Sequence, residues 1–138
     1  QAWSLPFARV TFPLHPPMTN EGFNMLTYAL LIFAIAAVGG LVLAASVLRG
    51  RLAPWALSIV HALLGATGLV LLVVVVLRDT GPGRVSAALG LLVLAALGGF
   101  YLAWIHLRGT IAPKRVVFIH AGVAVAGFLT LLSAVLAV

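Results

Sequence analysis

Two histidines, His61 and His120, stand inside long apolar stretches of a 138-residue chain, each followed by alanine and each seven residues after a proline, Pro54 or Pro113. A neutral imidazole nitrogen ligates transition metals and titrates near neutral pH. Ionisable groups amid hydrocarbon are costly enough to mark a functional site by default. Two imidazoles approaching one iron from opposite faces are the axial ligands of a b-type haem, and one such haem b is the chemistry this pair suggests first. A proton relay between two titrating imidazoles is the second. The chain has no cysteine, which removes disulfides, thiolate ligation and iron–sulfur clusters. No nucleophile with a base, no carboxylate pair and no Gly-Lys-Ser/Thr phosphate loop is present, so any chemistry would be a cofactor's.

The elements that carry these residues follow from composition. With 64% hydrophobic and 7% charged residues, a water-soluble surface cannot be assembled, and the solvent must be lipid. Four apolar runs, Asn24 to Leu48, Pro54 to Leu77, Arg84 to Leu107 and Arg115 to Val138, are each long enough to cross about 30 Å of hydrocarbon at about 1.5 Å per residue. Continuous Leu, Val and Ala without alternation excludes barrel strands, leaving helices. The predicted fold is an all-α integral membrane four-helix bundle over residues 24–138. Residues 1–23, punctuated by Pro6, Pro13, Pro16 and Pro17, are expected as an extended segment along the membrane interface.

The chain repeats itself. A shift of 59 residues aligns Ala36 to Gly68 with Ala95 to Gly127, with 14 of 33 positions identical. Gly39-Gly40 returns as Gly98-Gly99, Leu48-Arg49-Gly50 as Leu107-Arg108-Gly109, Ala53-Pro54 as Ala112-Pro113 and His61-Ala62 as His120-Ala121. Two helical hairpins, about 24–77 and 84–138, are therefore expected as a parallel repeat about an axis along the membrane normal. That places His61 and His120 at equal depth, about 10 Å inside their helices.

A flat cofactor between helices needs small neighbours. His61, Gly65 and Gly68 fall on one helical face, as do His120, Ala124 and Gly127; Gly40 and Gly99, with flanking alanines, repeat the pattern on the other two helices. Arg49, Arg108, Lys114 and Arg115 stand where haem propionates would emerge and are the expected partners for them. Trp55 is a further candidate there. The plainer account of the small residues is close helix packing, and of the histidines a hydrogen bond between helices. His106, whose repeat partner is Val47, breaks the symmetry and is expected at the membrane interface, with a quinone or proton contact as the sharper alternative. His15 is expected to be solvent-exposed or at a partner contact.

The loops between the first and second and between the third and fourth helices hold five basic residues (Arg49, Arg51, Arg108, Lys114, Arg115), against Arg9, Arg78 and Arg84 on the other side. The positive-inside rule then puts those two loops in the cytoplasm and both termini outside, as in a bacterial inner membrane. Basic residues scattered in this way form no nucleic-acid face. In its four helices and in His61 and His120 with their glycines, the chain resembles the four-helix membrane cytochromes of the b561 type and the haem-bearing anchor subunits of membrane dehydrogenases. The resemblance implies electron transfer within a respiratory or other redox complex, with other subunits and quinone as partners. It departs in one respect: cytochromes of the b561 type usually carry four ligands for two haems, and here two histidines sit at mid-helix.

Three rival functions follow from the same residues. A small proton-coupled transporter or channel would use the histidine pair as a relay, but the helices hold no acid for cation coupling, and Thr67, Ser46 and Ser58 are the few other polar groups at depth. A cofactor-free structural or accessory subunit would need only the packing. Two chlorophyll-type pigments could each take one histidine. An electron-transfer subunit fits these residues better than a stand-alone enzyme.

Overall fold

The computed structural model describes residues 20–78 and 83–137. Among them are four helices and no strand: α1 (Asn20–Leu48), α2 (Trp55–Leu77), α3 (Gly83–Leu107) and α4 (Lys114–Leu136). All four are long and apolar enough to cross a membrane. Their outward faces carry exposed Leu31, Ile35, Leu63, Val70, Leu94 and Phe118, which is the surface lipid requires. Among the described residues no polar or charged side chain is fully buried.

Three helices keep nearly the bounds that the apolar runs predict. The first begins at Asn20 rather than Asn24, and the expected extended segment is corrected to that extent: Asn20 to Phe23 are helical, with Glu21 in the first turn, where a carboxylate favours the helix dipole. Residues 1–19, His15 included, lie outside the described residues. Pro54 and Pro113 stand just before α2 and α4, with φ of −64° and −59°. Their carbonyls accept from the amides of Ser58 at 3.0 Å and Val117 at 3.3 Å, so each proline starts its helix without needing an N–H of its own.

Each Leu-Arg-Gly sequence closes a helix in the same way. Gly50 and Gly109 adopt φ of 71° and 68°. The Gly50 amide donates to Val47 at 2.9 Å and the Arg51 amide to Ser46 at 3.0 Å; Gly109 donates to His106 at 2.9 Å and Thr110 to Ile105 at 3.4 Å. This double bond from a left-handed residue satisfies the last helical carbonyls and reverses the chain. As a result α1 packs chiefly on α2, and α3 on α4. The two hairpins meet along α1–α4 and α2–α3, which leaves α2 and α4 facing each other diagonally across the bundle.

Packing is concentrated at the end of the bundle away from the two Gly turns. The fully buried residues there come in pairs 59 apart: Leu26 and Val85 (0% and 1% exposed), Ala29 and Ala88, Leu72 and Leu131, Val75 and Ala134. Phe33 and Leu92 cap this core at 8% and 5%. In lipid, apolar burial brings no transfer gain between helices, so close contact has to supply the adhesion. Gly68 and Gly127 make the contact possible, since a Cβ on Gly68 would lie 2.7 Å from the Phe33 ring, and one on Gly127 2.8 Å from Leu92 Cγ. Toward the Gly turns the side chains shorten and the bundle opens.

Candidate functional site: a paired-histidine cavity

The opening is a cavity of about 450 Å³ among all four helices, within the size range of small-molecule and cofactor sites. Ala36, Gly40 and Ala44 of α1 and Ala95, Gly99 and Ala103 of α3 form two of its walls, with Phe33 and Leu92 toward its floor. His61 and His120 reach in from α2 and α4.

Hydroxyl groups of the helices are already engaged, including that of Ser58 on the cavity wall. Ser46, Ser58, Thr67 and Thr130 each donate to the carbonyl four residues back, at 2.8 to 3.1 Å. Thr27 does the same at 3.0 Å. Such bonds are internal to one helix and leave little donor capacity for a polar pathway. The histidines behave differently. His61 Nδ1 lies 2.9 Å from the Ala36 carbonyl oxygen, and His120 Nδ1 2.9 Å from that of Ala95. A carbonyl only accepts, so each Nδ1 carries the proton. In the neutral ring this leaves Nε2 as a bare acceptor or metal ligand.

The Gly-Gly pairs seat these rings. A Cβ on Gly40 would lie 3.0 Å from His61 Cε1, one on Gly98 3.5 Å from His120 Nδ1, and one on Gly99 3.4 Å from His120 Cε1. Without side chains at these positions, the imidazoles lie against the neighbouring helix and reach its backbone. The two ring centres are 6.4 Å apart, with planes inclined at 77°. With a metal–nitrogen bond of about 2.0 Å and about 1.1 Å from a ring nitrogen to the ring centre, two imidazoles on opposite faces of one metal have centres about 6 Å apart. Among the described residues no three or more His, Cys, Asp or Glu side chains form a metal-holding group. Two imidazoles suffice where the remaining ligands arrive with the metal, as they do in a porphyrin.

Of the glycines singled out from sequence, Gly40, Gly65 and Gly99 line the cavity. Gly68 and Gly127 instead receive the Phe33 and Leu92 side chains. The basic residues are placed otherwise than expected. Arg108 lays its guanidinium 3.8 Å over the Trp104 ring, which itself stacks on Tyr101 at 5.9 Å. Arg49, Lys114 and Arg115 are exposed and do not line the cavity, whereas Arg51 does. The cause is the left-handed Gly50, which turns the chain between Arg49 and Arg51. His106 lines the cavity together with Trp55 rather than facing outward. Its ring meets Trp55 edge-on at 4.2 Å, and its Nε2 is buried with no hydrogen-bond partner among the described residues.

Compared with known proteins, the chain matches no family model, no curated protein and no solved structure.

Proposed function

We propose that the chain is a membrane haem b protein in which His61 and His120 are the two axial ligands and which carries electrons as a subunit of a larger redox complex. The observation that carries the proposal is the 6.4 Å between two ring centres whose Nδ1 atoms are both committed to backbone carbonyls. The spacing suits two imidazoles on one six-coordinate metal, and the committed Nδ1 leaves the ligating nitrogen free.

A haem bound there supplies a reversible one-electron change at iron. The protein's own part is to hold and insulate. The Ala36 and Ala95 carbonyls fix the tautomer and orientation of the rings and raise their basicity as ligands. Gly40 and Gly99 keep the rings against α1 and α3, and the alanine-lined walls surround the cofactor with a mostly apolar lining. We read the bundle as two parallel copies of one hairpin. The matching histidine bonds, the matching Gly turns and the buried pairs 59 apart support this. On the charge balance of the loops, the cavity opens toward the cytoplasmic side of a bacterial inner membrane. A chain with so little surface outside its helices needs partners to deliver and remove electrons, and other membrane subunits and quinone are the natural ones.

The test is a visible spectrum of the detergent-purified protein before and after dithionite. A low-spin b-type spectrum is expected, lost in both His61→Ala and His120→Ala while circular dichroism stays helical. A colourless protein that remains colourless when haem is added would overturn the reading.

A further inference from the structure

The two hairpins present nearly the same surface to the cavity floor, where Phe33 and Leu92, and Ala36 and Ala95, are equally buried at positions 59 apart. At the mouth the match fails. His106 stands where α1 has Val47, Trp55 where α4 has Lys114, and Arg51 where the other loop has Thr110. His106, Trp55 and Arg51 all line the cavity. The mouth therefore has one histidine and one arginine without counterparts in the other hairpin.

The His106 Nε2 is buried without a partner among the described residues, although buried polar atoms are almost always paired. The ring that carries this atom lines the cavity, and its missing partner points to a polar group on whatever fills the cavity. Its depth says which group. Gly99 packs against the His120 ring, and His106 lies seven residues further along α3, two turns or about 10 Å nearer the loops. A macrocycle centred between His61 and His120 reaches that level with its carboxylate arms and not with its ring.

We infer that His106, with Arg51, forms a carboxylate subsite for a haem propionate at the α2–α3 side of the cavity mouth. The inference rests on the haem reading above. His106 Nε2–H donates to a carboxylate oxygen, Arg51 supplies the compensating charge, and Trp55 fixes the imidazole edge-on. A charge-assisted bond of this kind is shorter and stronger than a neutral one. On the opposite side of the mouth, Val47 makes no such bond, so the two arms are held unequally.

The experiment titrates apoprotein in detergent with haem and, separately, with haem dimethyl ester, and reads dissociation constants from the Soret band. His106→Val is expected to weaken haem binding by about tenfold, the size of one charge-assisted bond, and to leave the ester unchanged. His106→Gln, which keeps an N–H donor, is expected to retain most of the affinity. Val47→His, which adds the missing counterpart, is expected to tighten haem and not the ester. Equal changes for haem and ester, or none for either, would overturn the subsite while leaving the axial ligands intact. Failure of the wild-type protein to give a six-coordinate spectrum with either compound would overturn the haem reading itself. Should His106→Val fail to fold, the Val47→His and His106→Gln titrations decide the question.

Discussion

His61 and His120 gain their geometry from the residues opposite them, and small differences there should be measurable. A Cβ at residue 40 would sit 3.0 Å from the His61 ring, while one at residue 99 would sit 3.4 Å from the His120 ring. The first is tighter than side chains normally tolerate and the second is close to ordinary contact. Gly40→Ala is therefore expected to destabilise the bundle by about 1 kcal/mol more than Gly99→Ala, the low end of overpacking costs, as read from denaturant unfolding in detergent. Equal losses would show that the two rings are not seated as described. At this scale sequence showed which histidines pair but not where the charges point. Arg49, Arg108, Lys114 and Arg115 were natural choices for the cavity mouth because they flank it in the chain. Side-chain heading there is set by the turn at Gly50 and by Trp104, which holds the Arg108 guanidinium. His106 was hard to place for a related reason: symmetry identifies what is repeated, and this residue matters because it is not.

Each helix depends on one or two positions where a side chain is forbidden. Gly50 and Gly109 have positive φ and open space around the Cβ position, so the cost of alanine there is conformational alone. Gly50→Ala and Gly109→Ala should each cost about 1–2 kcal/mol, and by nearly the same amount, in an unfolding measurement. Gly68 is different, because the Phe33 ring occupies its side-chain space. Gly68→Ala is expected to cost about 1–3 kcal/mol. Trimming the ring in the Phe33→Leu, Gly68→Ala double variant should recover at least about 0.5 kcal/mol relative to the sum of the single changes, since residues in contact do not add. Strict additivity would argue against that contact. The helices themselves were legible from apolar length alone, because lipid leaves the backbone few alternatives. The start of α1 was not, since Asn20 to Phe23 have neither the run of apolar residues nor the proline that marks a boundary elsewhere.

Across the whole molecule, burial keeps the 59-residue spacing at positions whose residues are not identical. Leu26 pairs with Val85 and Val75 with Ala134 in burial, although the types differ, because a packing position constrains volume and depth more loosely than identity. The absence of cysteine makes the topology directly testable. Single cysteines introduced as Arg49→Cys and Arg108→Cys should be shielded from a membrane-impermeant maleimide in intact cells and react after permeabilisation, whereas Arg78→Cys should react at once. The opposite pattern would invert the orientation inferred from loop charge.

The location of the histidine pair along the helices has an electrical consequence. His61 and His120 are each the seventh residue of a 23-residue helix, with the cavity on their near side and a solid plug of leucine, valine and alanine on their far side. A charge arriving from the loop end has crossed only about a third of the insulating thickness. Of the roughly 2.3 kcal/mol that 100 mV imposes on a charge crossing the whole membrane, it feels about 0.7. With haem at the pair as proposed, an electron there would feel only about a third of the membrane voltage and would exchange with the compartment at the Gly turns. The packed end would then be the dielectric of a capacitor charged from one plate only.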